Sequence, residues 1–333
     1  METQSGIAQR GGPSNNRVLL LGATGTMGVA VRRVLLDMGY EVICPVRAGR
    51  SPPIERPGLI IRPGDLLDPV SWSRDLIRGE TFDAVISCLA SRTGAALDAW
   101  AIDYQAHVHA LEAVQAAGVR HMVLLSAICV QKPRLQFQRA KLAFEQRLIE
   151  SGLAYSIVRP TAFFKSLSGQ VERVRAGKPF LMFGDGRLTA CKPISDDDLA
   201  RFLVECLDDP DRKNRILPIG GPGPAITPLE QGERLFELFG NRPRFRRVPV
   251  AVLDVIVGTL DILGRVLPSA AARAERARIG QYYATESMLV WDPVAKRYDA
   301  EATPSTGTET LWDHYQDLVS GARTHQRSEH SVF

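Results

Sequence analysis

Short apolar runs alternate with helical patterns through the first half of the chain. Arg17–Gly22 (RVLLLG) is apolar almost throughout, and Thr26–Met38 follows with Met27, Ala30, Val31, Val34 and Leu35 at helical spacing. Glu41–Val46 and Leu59–Arg62 read as the next two strands. A helix near Pro69–Gly79, a strand Phe82–Cys88, a helix Leu97–Ala117, a strand His121–Ser126, a helix Gln136–Ser151 and a strand Ala154–Val158 complete the series. Short strands without polar alternation, joined by helices, predict a parallel sheet covered on both faces. Right-handed crossovers then favour a doubly wound α/β sheet.

After Arg159-Pro160 the rhythm changes. Gly and Pro punctuate the chain at Gly177-Lys178-Pro179, Gly184-Asp185-Gly186 and Gly220–Pro224, and the elements become irregular. The expected organisation is a Rossmann-type part over 16–160 and a smaller mixed and helical part over 161–318 that returns elements to the sheet. Polar, Gly-containing segments at 1–15 and 319–333 read as tails, the first without the apolar run of a secretory leader. Val250–Leu267 is close to spanning length, but Asp254, Asp261 and Arg265 interrupt it on one helical face. That pattern is an amphipathic helix, open to cap packing or to contact with a greasy ligand or membrane surface.

Composition excludes several classes. In 333 residues, 45% are hydrophobic and 23% charged, which is ordinary for a globular protein. A net charge of +4 does not by itself imply nucleic-acid binding. Cys44, Cys88, Cys129, Cys191 and Cys206 are odd in number and widely spaced, so no metal ribbon or disulfide framework is expected. Five reduced thiols suit a cytoplasmic protein. His107 and His109 on the mid-chain helix read as structural, and Asp196-Asp197-Asp198 after Ser195 as a capped helix start, so no metal site is expected.

The chemistry begins at Gly22-Ala23-Thr24-Gly25-Thr26-Met27-Gly28. This run leaves the first strand and opens the first helix, as a dinucleotide's diphosphate requires. The end of the second strand carries Arg47 where an NAD site would carry an acid, 19 residues after Gly28. A guanidinium there can clamp a 2′-phosphate, so NADPH is the expected cofactor. Asp65 and Leu66 after the third strand are placed beside the adenine, with a helix cap as the alternative role for Asp65. Cys88, Leu89 and Ala90 after the fourth strand, and Pro160 and Thr161 after the sixth, complete the expected cofactor lining.

The glycine spacing, with Gly64-Asp65-Leu66-Leu67-Asp68 after it, resembles the short-chain dehydrogenase superfamily in its extended and atypical branches. Members carry Tyr-x-x-x-Lys on the helix after the fifth strand. Here the segment reads Phe137-Gln138-Arg139-Ala140-Lys141, so the lysine is present and the proton-donating tyrosine is not. Loss of the Tyr with retention of the Lys is similar to the isoflavone-reductase-like and NmrA-like branch. Leu125–Pro133, Phe137–Glu145, Arg159–Gln170, Met182–Gly186, Ala190–Ser195 and Tyr282–Pro293 resemble the NADPH-dependent 3,8-divinyl chlorophyllide a 8-vinyl reductases of (bacterio)chlorophyll synthesis. The resemblance covers about Asn16 to Leu318.

It implies reduction of an 8-vinyl group to ethyl on a magnesium tetrapyrrole, with Lys141 as the catalytic residue. Hydride would add to the terminal vinyl carbon and charge would spread into the conjugated ring, so no tyrosine acid is needed. Phe137, Phe163, Phe164, Tyr282, Tyr283 and Trp291 are the candidate substrate contacts. On the same fold the alternatives are a catalytically silent NADP(H)-binding regulator or assembly factor, and an ene-reductase for another conjugated substrate. The charge adds one more expectation. Arg242–Gly280 holds eight arginines against Asp254, Asp261 and Glu275. This segment is either a solvated face or a basic rim for the substrate's propionate or an anionic membrane.

Overall fold

The computed structural model describes residues 16–47, 49, 56–264 and 268–322. The expected N-terminal tail (1–15) therefore lies outside the described residues, as does Arg265; of the expected C-terminal tail (319–333), residues 323–333 lie outside them, while Val319 and Ser320 instead end a helix. Eleven strands are present among the described residues, numbered in chain order: β1 (Arg17–Leu21), β2 (Glu41–Val46), β3 (Leu59–Pro63), β4 (Ala84–Ser87), β5 (His121–Leu125), β6 (Ala154–Pro160), β7 (Phe180–Phe183), β8 (Arg215–Ile219), β9 (Phe245–Val248), β10 (Val290–Asp292) and β11 (Arg297–Asp299). Seven of them form one sheet in the order β3-β2-β1-β4-β5-β6-β8, all parallel. This is the doubly wound Rossmann-type architecture that the alternation predicts. β8, from the second half of the chain, is the last strand of this sheet.

The period-2 geometry of a strand explains why β1 is apolar throughout. Val18 and Leu20 pack into the core on one face of the sheet, and Leu19 and Leu21 into the core on the other. All four are fully buried. Each contributes about 1.5–3 kcal/mol by leaving water. A third apolar cluster lies in the second half, around Phe164, Phe180, Phe236, Tyr282 and Tyr315. There β7 and β9 pair in parallel, and β10 and β11 form an antiparallel hairpin.

Two helices depart from the regular pattern. The one expected over Pro69–Gly79 is α-helical only over Pro69–Ser71, winds more widely over Trp72–Ile77, and ends at Arg78 with φ 58°. The one expected over Leu97–Ala117 begins at Ala96, widens over Trp100–Ala106, and returns to α-helix over His107–Ala116. The widened turn brings Asp103 inside, where it is 1% exposed. Wide turns of this sort recur at functional sites. The last described helix, Leu311–Ser320, is capped by Thr310 and closes at Gly321 with φ 81°.

Candidate cofactor and active site

The strand order reverses between β1 and β4, and the glycine-rich loop lies at that switch point, where folds of this kind bind ligands. Gly22 has φ 76°, and a Cβ there would sit 2.6 Å from the Cys88 carbonyl oxygen. A Cβ on Gly28 would fall 2.1 Å from Gly22 O. Neither position tolerates a side chain, so at Gly22 and Gly28 the loop meets Cys88 and the start of the helix Thr26–Asp37 backbone to backbone. At Gly25 a Cβ would meet only Gly22 O, at 3.4 Å, so space beside it is open. Gly25 is the N-cap and provides no side-chain acceptor, and the first turn holds no acid. The first N–H groups of the helix are left to an anion from outside. Lys165 Nζ lies 3.2 Å from Thr26 Oγ1 and adds a cation at the same end. Sequence reasoning gave Lys165 no role. Only its place just after the carboxyl end of β6 could have drawn attention to it.

Arg47 follows the last residue of β2 and is exposed. β2 runs parallel to β1, so Arg47 and the glycine loop share the carboxyl edge of the sheet. Asp65 closes its own turn by accepting the Leu67 N–H at 2.9 Å, and its own N–H donates to Ser71 Oγ at 2.9 Å. The helix cap is Asp68 instead, which accepts from Val70 N. Leu66 is buried. Cys88 and Leu89 are half-buried and Ala90 is exposed. Cys88 N donates to Leu21 O, which ties this loop to β1. Ala23, Thr24 and Met27 lie in or beside the loop, Ala23 and Met27 buried and Thr24 exposed.

Lys141 projects from the helix Gln136–Glu150 and its Nζ is 2.9 Å from Asp103 Oδ1. The Asp103 side chain is fully buried and that of Lys141 is 12% exposed. Ser91 donates to Asp103 through both its hydroxyl, at 2.5 Å, and its N–H, at 3.3 Å. A lysine has three donors. The carboxylate fixes one of them, and two remain for a ligand. Asp103 was not legible in the sequence because a regular helix would not single it out. Near the pair, His107 donates from Nδ1 to Ile102 O at 2.9 Å and accepts at Nε2 from the Ser87 hydroxyl at 2.8 Å. Burial first, then the Lys141 charge, pushes its pKa down to about 4, so the imidazole is neutral at physiological pH. Buried surroundings push Cys44, Cys88 and Cys191 up to about 12, which keeps those thiols protonated.

A cavity of about 250 Å³ adjoins the carboxyl ends of β5 and β6. Ala127–Cys129 and Pro160–Phe163 line its sheet side, and Leu181–Phe183, Leu188, Tyr283 and Met288 line the rest. Of the six aromatic candidates, Phe163 and Tyr283 line this cavity. The other aromatic candidates are not among the lining residues. Phe164 is 3% exposed in the third cluster, 5.4 Å from the His314 ring. The one-residue offset after β6 turns the two phenylalanines to different sides. Tyr282 is buried in the third cluster, and its hydroxyl donates to the carbonyls of Cys129 and Lys132. Trp291 lies on β10 under the Lys132 ammonium, 4.1 Å from the ring centroid. Phe137 packs against the third cluster beside Gly94. These four therefore pack as described and are not among the residues that line this cavity.

The NAD(P)H-binding family model matches residues 22–210. Divinyl chlorophyllide a 8-vinyl-reductase, chloroplastic, of Oryza sativa subsp. indica is 47% identical over 96% of this chain and 83% of its own length. The chain belongs to the divinyl chlorophyllide a 8-vinyl-reductase family. Similarity to photosystem II assembly factor Ycf39 of Synechocystis is lower, 28% over 90% of each chain. Among solved structures, the UDP-glucose 4-epimerase of Thermotoga maritima superposes with a TM-score of 0.66 at 16% identity, covering 91% of this chain and 97% of that one. At that identity the likeness concerns the fold. The family's relatives span both halves of the chain, so the cavity and the glycine loop lie within the shared region.

Proposed function

We infer that this chain reduces the 8-vinyl group of 3,8-divinyl chlorophyllide a to ethyl, with NADPH as reductant. The observation that supports it most is the shared edge of the two sites. The glycine loop after β1 and the apolar cavity after β5 and β6 both lie at the carboxyl edge of one parallel sheet, in a chain 47% identical to reductases of that name. The residues present fit the cofactor. The helix N-terminus and Lys165 suit its diphosphate, Arg47 its 2′-phosphate and Lys141 its nicotinamide ribose, while Asp65 and the loop Cys88–Ala90 border the adenine side and Pro160–Thr161 the nicotinamide side. When bound, NADPH supplies the hydride.

The remaining work falls to the protein. Asp103 holds the Lys141 ammonium in place, so the two orient the reacting face together. Phe163 and Tyr283 offer aromatic surface to a flat ring. The cavity's 250 Å³ is less than the roughly 300–1,000 Å³ of pockets that enclose a whole drug-sized ligand. It therefore takes the vinyl-bearing edge of the macrocycle and leaves the rest outside. Charge that develops on the substrate is delocalised over its own conjugated ring, so Phe137 in place of a tyrosine costs nothing at this step.

Absorption spectroscopy tests the reading. Mixing the protein, NADPH and divinyl chlorophyllide should shift the Soret band to shorter wavelength while NADPH absorbance falls. Saturable NADPH binding with an unmoved Soret band would instead support a silent nucleotide-binding protein.

A further inference from the structure

The helix Val250–Gly264 turns an apolar face to the outside. None of its residues is buried. Val252, Val255, Ile256, Ile262 and Leu263 are all exposed, Val255 and Ile262 at 68% and 67%. Their spacing, i, i+3, i+4, i+10 and i+11, is that of a single helical stripe. Leu253, Val257 and Leu260 are half-buried, and Asp254 and Asp261 bond to the neighbouring helix Pro268–Thr285. Asp254 accepts from Gln281 at 2.5 Å, and Asp261 pairs with Arg278, which also reaches Glu275 at 2.9 Å. A surface helix ordinarily does the reverse. An outward apolar stripe of this kind marks a surface that meets something else.

The three acids of this segment are consumed within the helix pair. Arg242, Arg246, Arg247, Arg273 and Arg276 are exposed and have no ion pair among the described residues. We propose that this helix pair is a peripheral docking surface for an anionic lipid bilayer. A second copy of the chain is a poor occupant, because a self-complementary interface would bring the two arginine rims together. The helix lies on the bilayer and does not cross it. Its 15 residues extend about 22 Å, short of a hydrocarbon core of about 30 Å, and no helix among the described residues is long and apolar enough to cross.

The surface is continuous with the cavity wall. Arg246 and Arg247 on β9 pair in register with Leu181 and Met182 on β7, which line the cavity, and Tyr283 and Ala284 end the second helix of the pair. Docking would thus set the cavity beside the bilayer, from which an apolar ligand can enter. The bilayer proposal stands on the helix pair alone and does not need the reductase reading.

Vesicle flotation with the full chain tests it. Phosphatidylcholine vesicles containing phosphatidylglycerol should float the protein, and phosphatidylcholine vesicles alone should not. V255D/I262D should cut binding at least tenfold. R246E/R247E should do the same, since each arginine near such a surface is worth about fivefold in affinity, and added salt should mimic it. Retained nucleotide binding identifies variants that are folded. The proposal is overturned if the wild type stays unbound on anionic vesicles, or if folded V255D/I262D floats as well as the wild type. A wild-type dimer by light scattering that V255D/I262D converts to monomer would assign the stripe to a second copy and likewise overturn it.

Discussion

At the scale of single residues, the Asp103–Lys141 pair separates what can be read from a chain from what requires its fold. Lys141 is legible because it stands four residues after Phe137 in a recognisable segment. Asp103 is not, because only the widened turn of Trp100–Ala106 rotates it inward. Lys141→Ala should lower kcat by about 100-fold, the cost of misplacing a reacting group by about an ångström. Asp103→Ala should lower kcat too and, in addition, reduce stability to urea by about 3–5 kcal/mol, because it strands a buried ammonium. A variant with normal turnover at either position would remove the pair from the account. Phe137→Tyr should leave the rate within about twofold, since the ring packs beside Gly94 and away from the cavity lining. A clear gain in rate would show a tyrosine-like acid at work. Arg47→Ala should raise KM for NADPH by about 30-fold with KM for NADH little changed, as expected for loss of charged hydrogen bonds worth about 2 kcal/mol.

Elements were more legible than side-chain destinations. The sheet, its order of helices and the glycine loop follow from apolar runs and spacing, which report burial directly. What a periodicity does not contain is which side of a loop each aromatic takes. Phe163 and Phe164 are adjacent in sequence, yet one lines the cavity and the other fills the core. Tyr282 and Tyr283 divide in the same way, and Trp291 is claimed by Lys132. The helix and strand interiors also hold two neutral histidines with a consequence for the pH profile. Burial pushes both His107, on its helix, and His121, on β5, down to about 4 from 6.5. Between those values the unfolded chain binds protons that the folded chain does not, so stability rises with pH across this window. Denaturation midpoints should therefore fall as pH drops from about 6.5 to 4, with close to two protons taken up on unfolding. His107→Gln should remove one of them. A midpoint flat across this range would show that neither imidazole is held neutral.

For the molecule as a whole, two halves of different character share one edge. The first half supplies a cradle built from backbone, whose Gly22 and Gly28 leave no room for side chains. The second supplies β8 to the sheet, the apolar cavity wall and the outward-turned helix pair. The modest net charge conceals this arrangement, in which five exposed arginines without an ion pair among the described residues flank one helix pair. If the account is right, hydrogen passes from the cradle to the cavity within a single chain. The most direct measurement is mass spectrometry of the pigment after turnover with NADPH deuterated at both C4 positions. A product carrying one deuterium, located in the new 8-ethyl group, is the predicted result. Recovery of unreacted divinyl pigment, or of an ethyl product free of deuterium, would contradict it.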